Sequence, residues 1–250
     1  MYVRTQVLGT FILWFGWYGF NCGSAKSIVQ KPTAVAIAAV STTLGGSMGC
    51  VTSLLTRAIL EKKKTGHVTY DLTCAMNGCL AGLVSITAGC AVFEPWSSAL
   101  VGMIAGWIYL LASHLLVRLR IDDAVDAIPV HLGGGIWGIV ATGLFASPAF
   151  VDGAYDNITV PVGGLFFTGD FSLLGIQLVG LLFIIGWTAA IMVPFFLLLD
   201  FASFLRVDPL EEEVGLDVSH HRSHAYNVED PSRAALLKLL DRRRDKDKLF

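Results

Sequence analysis

Apolar residues gather in six stretches along the chain, near positions 7–25, 33–60, 72–92, 97–117, 128–149 and 171–203, with short polar connections between them. A helix of about 20 mainly apolar residues crosses a bilayer core. The pattern therefore predicts six transmembrane helices and an all-α polytopic membrane protein. Beyond residue 204 the pattern stops. The polar segment 205–250 ends in DRRRDKDKLF. It reads as a solvated tail with one short amphipathic helix, Ser232 to Leu240, appended to a membrane domain formed by residues 1–204.

Helical spacing assigns faces within the stretches. Trp17, Phe20 and Ser24 stand at i, i+3 and i+7, so one face of the first span is aromatic and leads to a hydroxyl. Two readings are open for it, helix packing or a vestibule that attracts a small cation to aromatic rings. Gly16, Gly19 and Gly23 lie beside this face and predict a close helix neighbour. The pairs Gly45 and Gly49, Gly78 and Gly82, Gly102 and Gly106, and Gly134 and Gly138 carry the same signal for tight backbone packing.

The fifth stretch holds the one histidine set deep in apolar sequence. His131, Gly135, Gly138 and Thr142 predict a second single face, mostly small, with space beside the imidazole. An ionisable side chain inside a membrane marks a cavity or pathway. Asp122, Asp123 and Asp126 stand at the start of this helix, where carboxylates cap free N–H groups and suit the positive end of the dipole.

Composition agrees with a membrane chain. Hydrophobic residues make up 54% and charged residues 15% of the 250, against roughly 25% charged in soluble domains, and the mean hydropathy is +0.63. The net charge of −2 says nothing useful about partners, and no nucleic-acid partner is expected. Lys and Arg concentrate before the first span (Arg4), at the second connection (Arg57, Lys62, Lys63, Lys64), at the fourth (Arg118, Arg120) and in the tail. Positive charge favours the cytoplasmic side, so both termini are expected inside. Segment 150–170 is then an external loop, expected to be irregular.

Other chemistries find less support. The five cysteines form no C-x-x-C pair, so neither a disulfide framework nor a zinc site is indicated; no metal and no cofactor are expected. MYVRTQ is followed by no small-residue cleavage site, which argues against a cleaved signal peptide. GGSMG at 45–49 matches the G-x-S-x-G of serine hydrolases, and an intramembrane serine protease is a remote alternative. The strand-to-helix elbow that the motif needs is absent, and the expectation is no enzyme. His220 and His224 stand four apart, but no further ligand completes a metal site.

Four blocks together resemble the ammonium transporter (Amt/Mep/Rh) family, in particular its eukaryotic Amt branch. They are GWYGFNCGSA (16–25), AMNGCLAGLVSITAGCAVFEPW (75–96), DDAVDAIPVHLGGGIWGIVATGLFA (122–146) and EEEVGLDVSHHRSHAYN (211–227). The resemblance implies a trimeric, multi-pass transporter or channel for ammonium and ammonia in a lipid bilayer, expected in the plasma membrane. It also implies inverted helical repeats, of which this chain corresponds to the second together with the last helix, the C-terminal half (spans six to eleven).

On that resemblance Trp17 and Ser24 correspond to an outer ammonium recruitment site and Phe20 to one of two gate phenylalanines. His131 corresponds to the second of two pore histidines, Asp123 to a structural acid, and Ser219 in GLDVS to a hydroxyl open to phosphorylation. Leu132 and Ala124 depart from the usual glycine and proline at their positions. Residues matching the first histidine and the other gate phenylalanine are not in this sequence, so the chain is expected to be incomplete as a pore alone. Its partners would be copies of itself in a homotrimer or other ammonium transporter subunits. A regulatory or sensor subunit, or a non-functional fragment, is the alternative.

Overall fold

The computed structural model describes residues 3–155 and 162–221. In chain order the helices are α1 (Val3–Gly23), α2 (Pro32–Thr65), α3 (Leu72–Thr87), α4 (Pro95–Leu119), a π-helical turn (Ile128–Gly133) leading directly into α5 (Gly134–Phe145), α6 (Pro148–Ala154), α7 (Leu165–Thr168), α8 (Ser172–Phe201), α9 (Pro209–Val214) and α10 (Leu216–Ser219). Among the described residues the only β pairing is an isolated bridge between Phe93 and Ala146. All six predicted stretches are helical. Four of them, α2, α4, Ile128–Phe145 and α8, are long and apolar enough to cross a membrane, while α3 is apolar but shorter.

Local signals set the helix limits. Pro32 and Pro95 occupy first-turn positions, where the missing N–H costs nothing. The Asp71 side chain accepts from the Cys74 N–H and opens α3. Gly66, at φ +82°, closes α2 after Lys62, Lys63 and Lys64, whose charges suit the negative end of the helix dipole.

Two boundaries differ from expectation. The third span ends at Thr87 instead of running to 92, because the chain turns at Gly89. The N–H groups of Val92 and Phe93 both donate to the Gly89 carbonyl, and the Phe93 ring lies against the glycine where a Cβ would stand. The segment expected to be irregular, 150–170, carries the end of α6 and all of α7; residues 156–161 lie outside the described part.

The described residues up to 184 make one compact unit, and α2 is its central helix, in contact with α1, α3 and α4. Close approach depends on glycine. A Cβ on Gly82 or on Gly102 would fall on the Gly45 backbone, and a Cβ on Gly49 would fall on the Gly78 carbonyl. The paired glycines of α2, α3 and α4 therefore do what their spacing predicts and bring three backbones together. Gly16, Gly19 and Gly23 do not. Open space surrounds each of them, because α1 docks through other positions. Asn21, 2% exposed, donates to the Thr42 hydroxyl at 2.9 Å, and the Trp14 ring lies over Gly46. An apolar core of Ile86, Phe93, Val101, Ala141 and Phe145 packs α3, α4 and α5 together at the Phe93 end.

Helix α8 has no buried residue and carries Pro194 in its interior. Its large apolar side chains, Phe183 and Trp187 among them, face outward, the pattern of a helix that meets lipid or other helices.

The described residues from 185 to 221 fall in a second unit. Sequence pattern suggested one tail helix at Ser232 to Leu240, which lies outside the described residues. The described part of the tail carries α9 and α10. Asp208 caps Leu210 and Pro209 takes the first position, a start signal overlooked in the acidic run that follows. Val214 and Val218 are buried there.

Candidate functional site

Helix α1 delivers Trp17, Phe20 and Ser24 to its C-terminal end. The Trp17 indole N–H donates to the Thr87 hydroxyl at 2.8 Å, and Thr87 in turn donates to the Leu83 carbonyl at 2.7 Å. The ring is thereby tied to the last turn of α3. Phe20 is 63% exposed. Ser24 stands just past the helix, where its hydroxyl bonds back to the Phe20 carbonyl at 2.7 Å. Trp17 and Phe20 thus present aromatic surface at the helix end where the Ser24 hydroxyl also lies.

His131 sits in the π turn, a wider turn often found where a helix is adapted to a task. Its side chain is exposed, while the neighbouring Pro129 and Val130 are buried. The expected single face divides here. His131 lies on the open side, and Gly135 has nothing near its Cβ position, so space does lie beside it. Gly138 packs on the backbone of Ser85, and Thr142 is buried. Gly134 also faces α3, and its carbonyl accepts from the Ser85 hydroxyl at 2.9 Å.

The three aspartates before the turn have separate roles. Asp123 accepts from the backbone N–H groups of Ala127 at 2.8 Å and Ile128 at 2.7 Å, the capping role expected of it. Asp126 does not cap, which corrects the expectation. Its backbone is left-handed, φ +57°, and its side chain turns into the bundle. One carboxylate oxygen accepts from Asn77 Nδ2 at 3.1 Å and the Tyr109 hydroxyl at 2.9 Å; the other accepts from the Ser113 hydroxyl at 2.9 Å. Three donors from α3 and α4 satisfy one carboxylate that the helices have half removed from solvent.

These partners were not picked out from the sequence. The available signals were Asn77, a lone amide in an apolar run, and Tyr109 with Ser113 at i, i+4 on one face of the fourth span. A cavity of about 370 Å3 adjoins the cluster, lined by Arg57, Asp71, Thr73, Tyr109, Ser113 and Asp126.

Ser219 ends α10 and is 1% exposed. A hydroxyl expected to be open to modification is covered in this arrangement. His220 pairs with Glu211 at 3.1 Å; His224, its suggested metal partner, lies outside the described residues. Ser47 lies inside α2 among the packing glycines and not at a turn.

The Ammonium Transporter Family model matches residues 3–226. The chain belongs to that family. Ammonium transporter 1 member 1 of Solanum lycopersicum is 40% identical over 236 residues, which cover 90% of this chain and 47% of that protein. Ammonium transporter 1 member 2 of Arabidopsis thaliana is 39% identical, with 90% of this chain and 44% of that protein covered. Among solved structures, Mep2 of Saccharomyces cerevisiae superposes with a TM-score of 0.74 at 29% identity, covering 92% of this chain and 49% of that one. The chain spans about half the length of the ammonium transporters it matches. The G-x-S-x-G match of α2 lies within a helix, and its glycines Gly45 and Gly49 pack against Ile86 and Gly78.

Proposed function

We propose that the chain forms one wall of a transmembrane pathway for ammonium and ammonia, the C-terminal half of an ammonium transporter. The observation that carries this is His131, a lone imidazole on the open side of a membrane helix, with clear space at Gly135 beside it. The names of the relatives support the substrate.

In this reading Trp17, Phe20 and Ser24 receive ammonium at the outer end. Aromatic faces attract a cation by about 1 to 2 kcal/mol when it is partly desolvated. A bare ammonium ion is costly to carry through apolar surroundings, so release of its proton before the apolar stretch lowers the barrier. Ammonia then passes His131, which can donate from one ring nitrogen and accept at the other. Asp123, Asp126, Gly135, Gly138 and Thr142 hold this wall in shape. Residues 1–204 are the membrane domain and 205–250 a cytoplasmic tail, with both termini on the cytoplasmic side of the plasma membrane.

A pathway lined on one side needs a second wall. The chain therefore works with a complementary set of helices, within a homotrimer or together with other ammonium transporter subunits. The test is growth and labelled-ammonium uptake in cells that lack their own ammonium uptake. The chain is expressed alone and together with the part of the tomato relative that it does not match. Uptake by the pair, reduced or altered in selectivity by His131→Ala, is the expected result. Uptake that is indifferent to His131→Ala would return the histidine to a packing role.

A further inference from the structure

We propose that Asp126 is the positioning residue of His131, fixing where the π turn places the imidazole. The inference rests on the reading of His131 as a pathway residue. It arises from two anchors on either side of the turn.

Below the turn, the Asp126 carboxylate is held by Asn77 of α3 and by Tyr109 and Ser113 of α4. Its backbone carbonyl accepts from the Val130 N–H at 3.1 Å. One residue thus grips two neighbouring helices with its side chain and the first bond of the turn with its main chain. Above the turn, Gly134 is fixed against Ala81 and Ser85. Between the two anchors lie seven residues, 127 to 133, and the π turn accommodates the spacing. The same turn buries Val130 and leaves His131 on the open side.

The left-handed conformation of Asp126 fits this role. A non-glycine residue at φ +57° carries strain and persists only where its surroundings hold it. Three hydrogen bonds to the carboxylate supply that hold. Their release lets Asp126 return to ordinary helical angles, and the next residues wind as an α-helix. His131 then rotates away from its present direction.

The test reads the ring itself. The full chain in lipid nanodiscs is treated with diethyl pyrocarbonate, and acylation at each histidine is followed by peptide mass spectrometry. The parent, Asp126→Ala and Asp126→Asn are compared. In Asp126→Asn the Asn77 amide can turn and accept instead of donating, so part of the cluster survives. A supporting shell that is lost loosens a site by an ångström or more, so Asp126→Ala changes the His131 rate about fivefold while exposed His67 keeps its rate. Asp126→Asn gives an intermediate value.

If Asp126→Ala fails to fold, Tyr109→Phe decides. It removes one donor without opening a cavity and shifts the His131 rate by about twofold. His131 rates equal to the parent in every folded variant would overturn the proposal. The pathway reading fails separately, if co-expressed His131→Ala transports like the parent while the Asp126 variants still shift the acylation rate.

Discussion

Trp17 and Thr87 are joined across 70 residues of sequence by a 2.8 Å hydrogen bond from indole to hydroxyl. The bond couples the aromatic end of α1 to the last turn of α3. Thr87→Val keeps the shape and removes the acceptor. An unmade hydrogen bond at a partly buried site costs about 1 kcal/mol, so unfolding in detergent shifts down by that amount. In the co-expressed pair the apparent KM for ammonium rises, because the freed indole no longer holds one orientation. An unchanged KM would separate Trp17 from recruitment.

Gly135 and Gly138 stand three residues apart and face opposite conditions. Gly138→Ala puts a Cβ 2.5 Å from the Ser85 carbonyl, and such overpacking costs about 1 to 3 kcal/mol. Lower yield and lower thermal stability are the expected outcome. Gly135→Ala meets no neighbour and folds like the parent. Its effect falls on uptake in the co-expressed pair, where the methyl narrows the space beside His131. Equal stability loss in both variants would contradict the split face.

Asp170 ties the start of α8 to its own carboxylate. The hydroxyl of Ser172 at 2.8 Å and its backbone N–H at 2.9 Å hold this carboxyl below its usual range. A group depressed in the folded state stabilises above its unfolded pKa, and that contribution is lost as pH falls through the folded value. The first turn of α8 therefore opens on acidification below the ordinary Asp range. Hydrogen exchange at Ser172 to Gly175, compared with Asp170→Asn at each pH, reads this. The two proteins should converge at low pH and differ near neutrality.

Ser219 is covered in the α9 and α10 segment, so a charge there and the present packing exclude one another. Ser219→Asp opens the segment, and limited proteolysis between 205 and 221 accelerates about tenfold, the equivalent of roughly 1.4 kcal/mol. Ser219→Ala stays close to the parent. Equal cleavage of both would show that the hydroxyl position bears no load.

The helical architecture was legible because apolar length and small-residue spacing are local signals. Gly45, Gly49, Gly78, Gly82, Gly102 and Gly106 announced their contacts by spacing alone. Gly16, Gly19 and Gly23 carried the same spacing without a partner in this chain, since a pattern names a face and not its occupant. His131 stood out for its ionisable ring in an apolar run. The π turn did not, because a periodicity assumed constant along a helix hides a change of winding. Asp126 reads as a cap in the sequence because its partners, Asn77 and Tyr109, are 49 and 17 residues away. Pairing across helices leaves no trace in local spacing.

The meeting of Gly45 with Gly82 and Gly102 limits how this molecule can move. With no side chains between the backbones, α2, α3 and α4 have no lubricating layer and cannot slide past one another. They shift as one block. Any opening or narrowing along His131 then falls to rotating side chains on the open side, since α1 is itself tied to the block by Asn21 on Thr42 and Trp17 on Thr87.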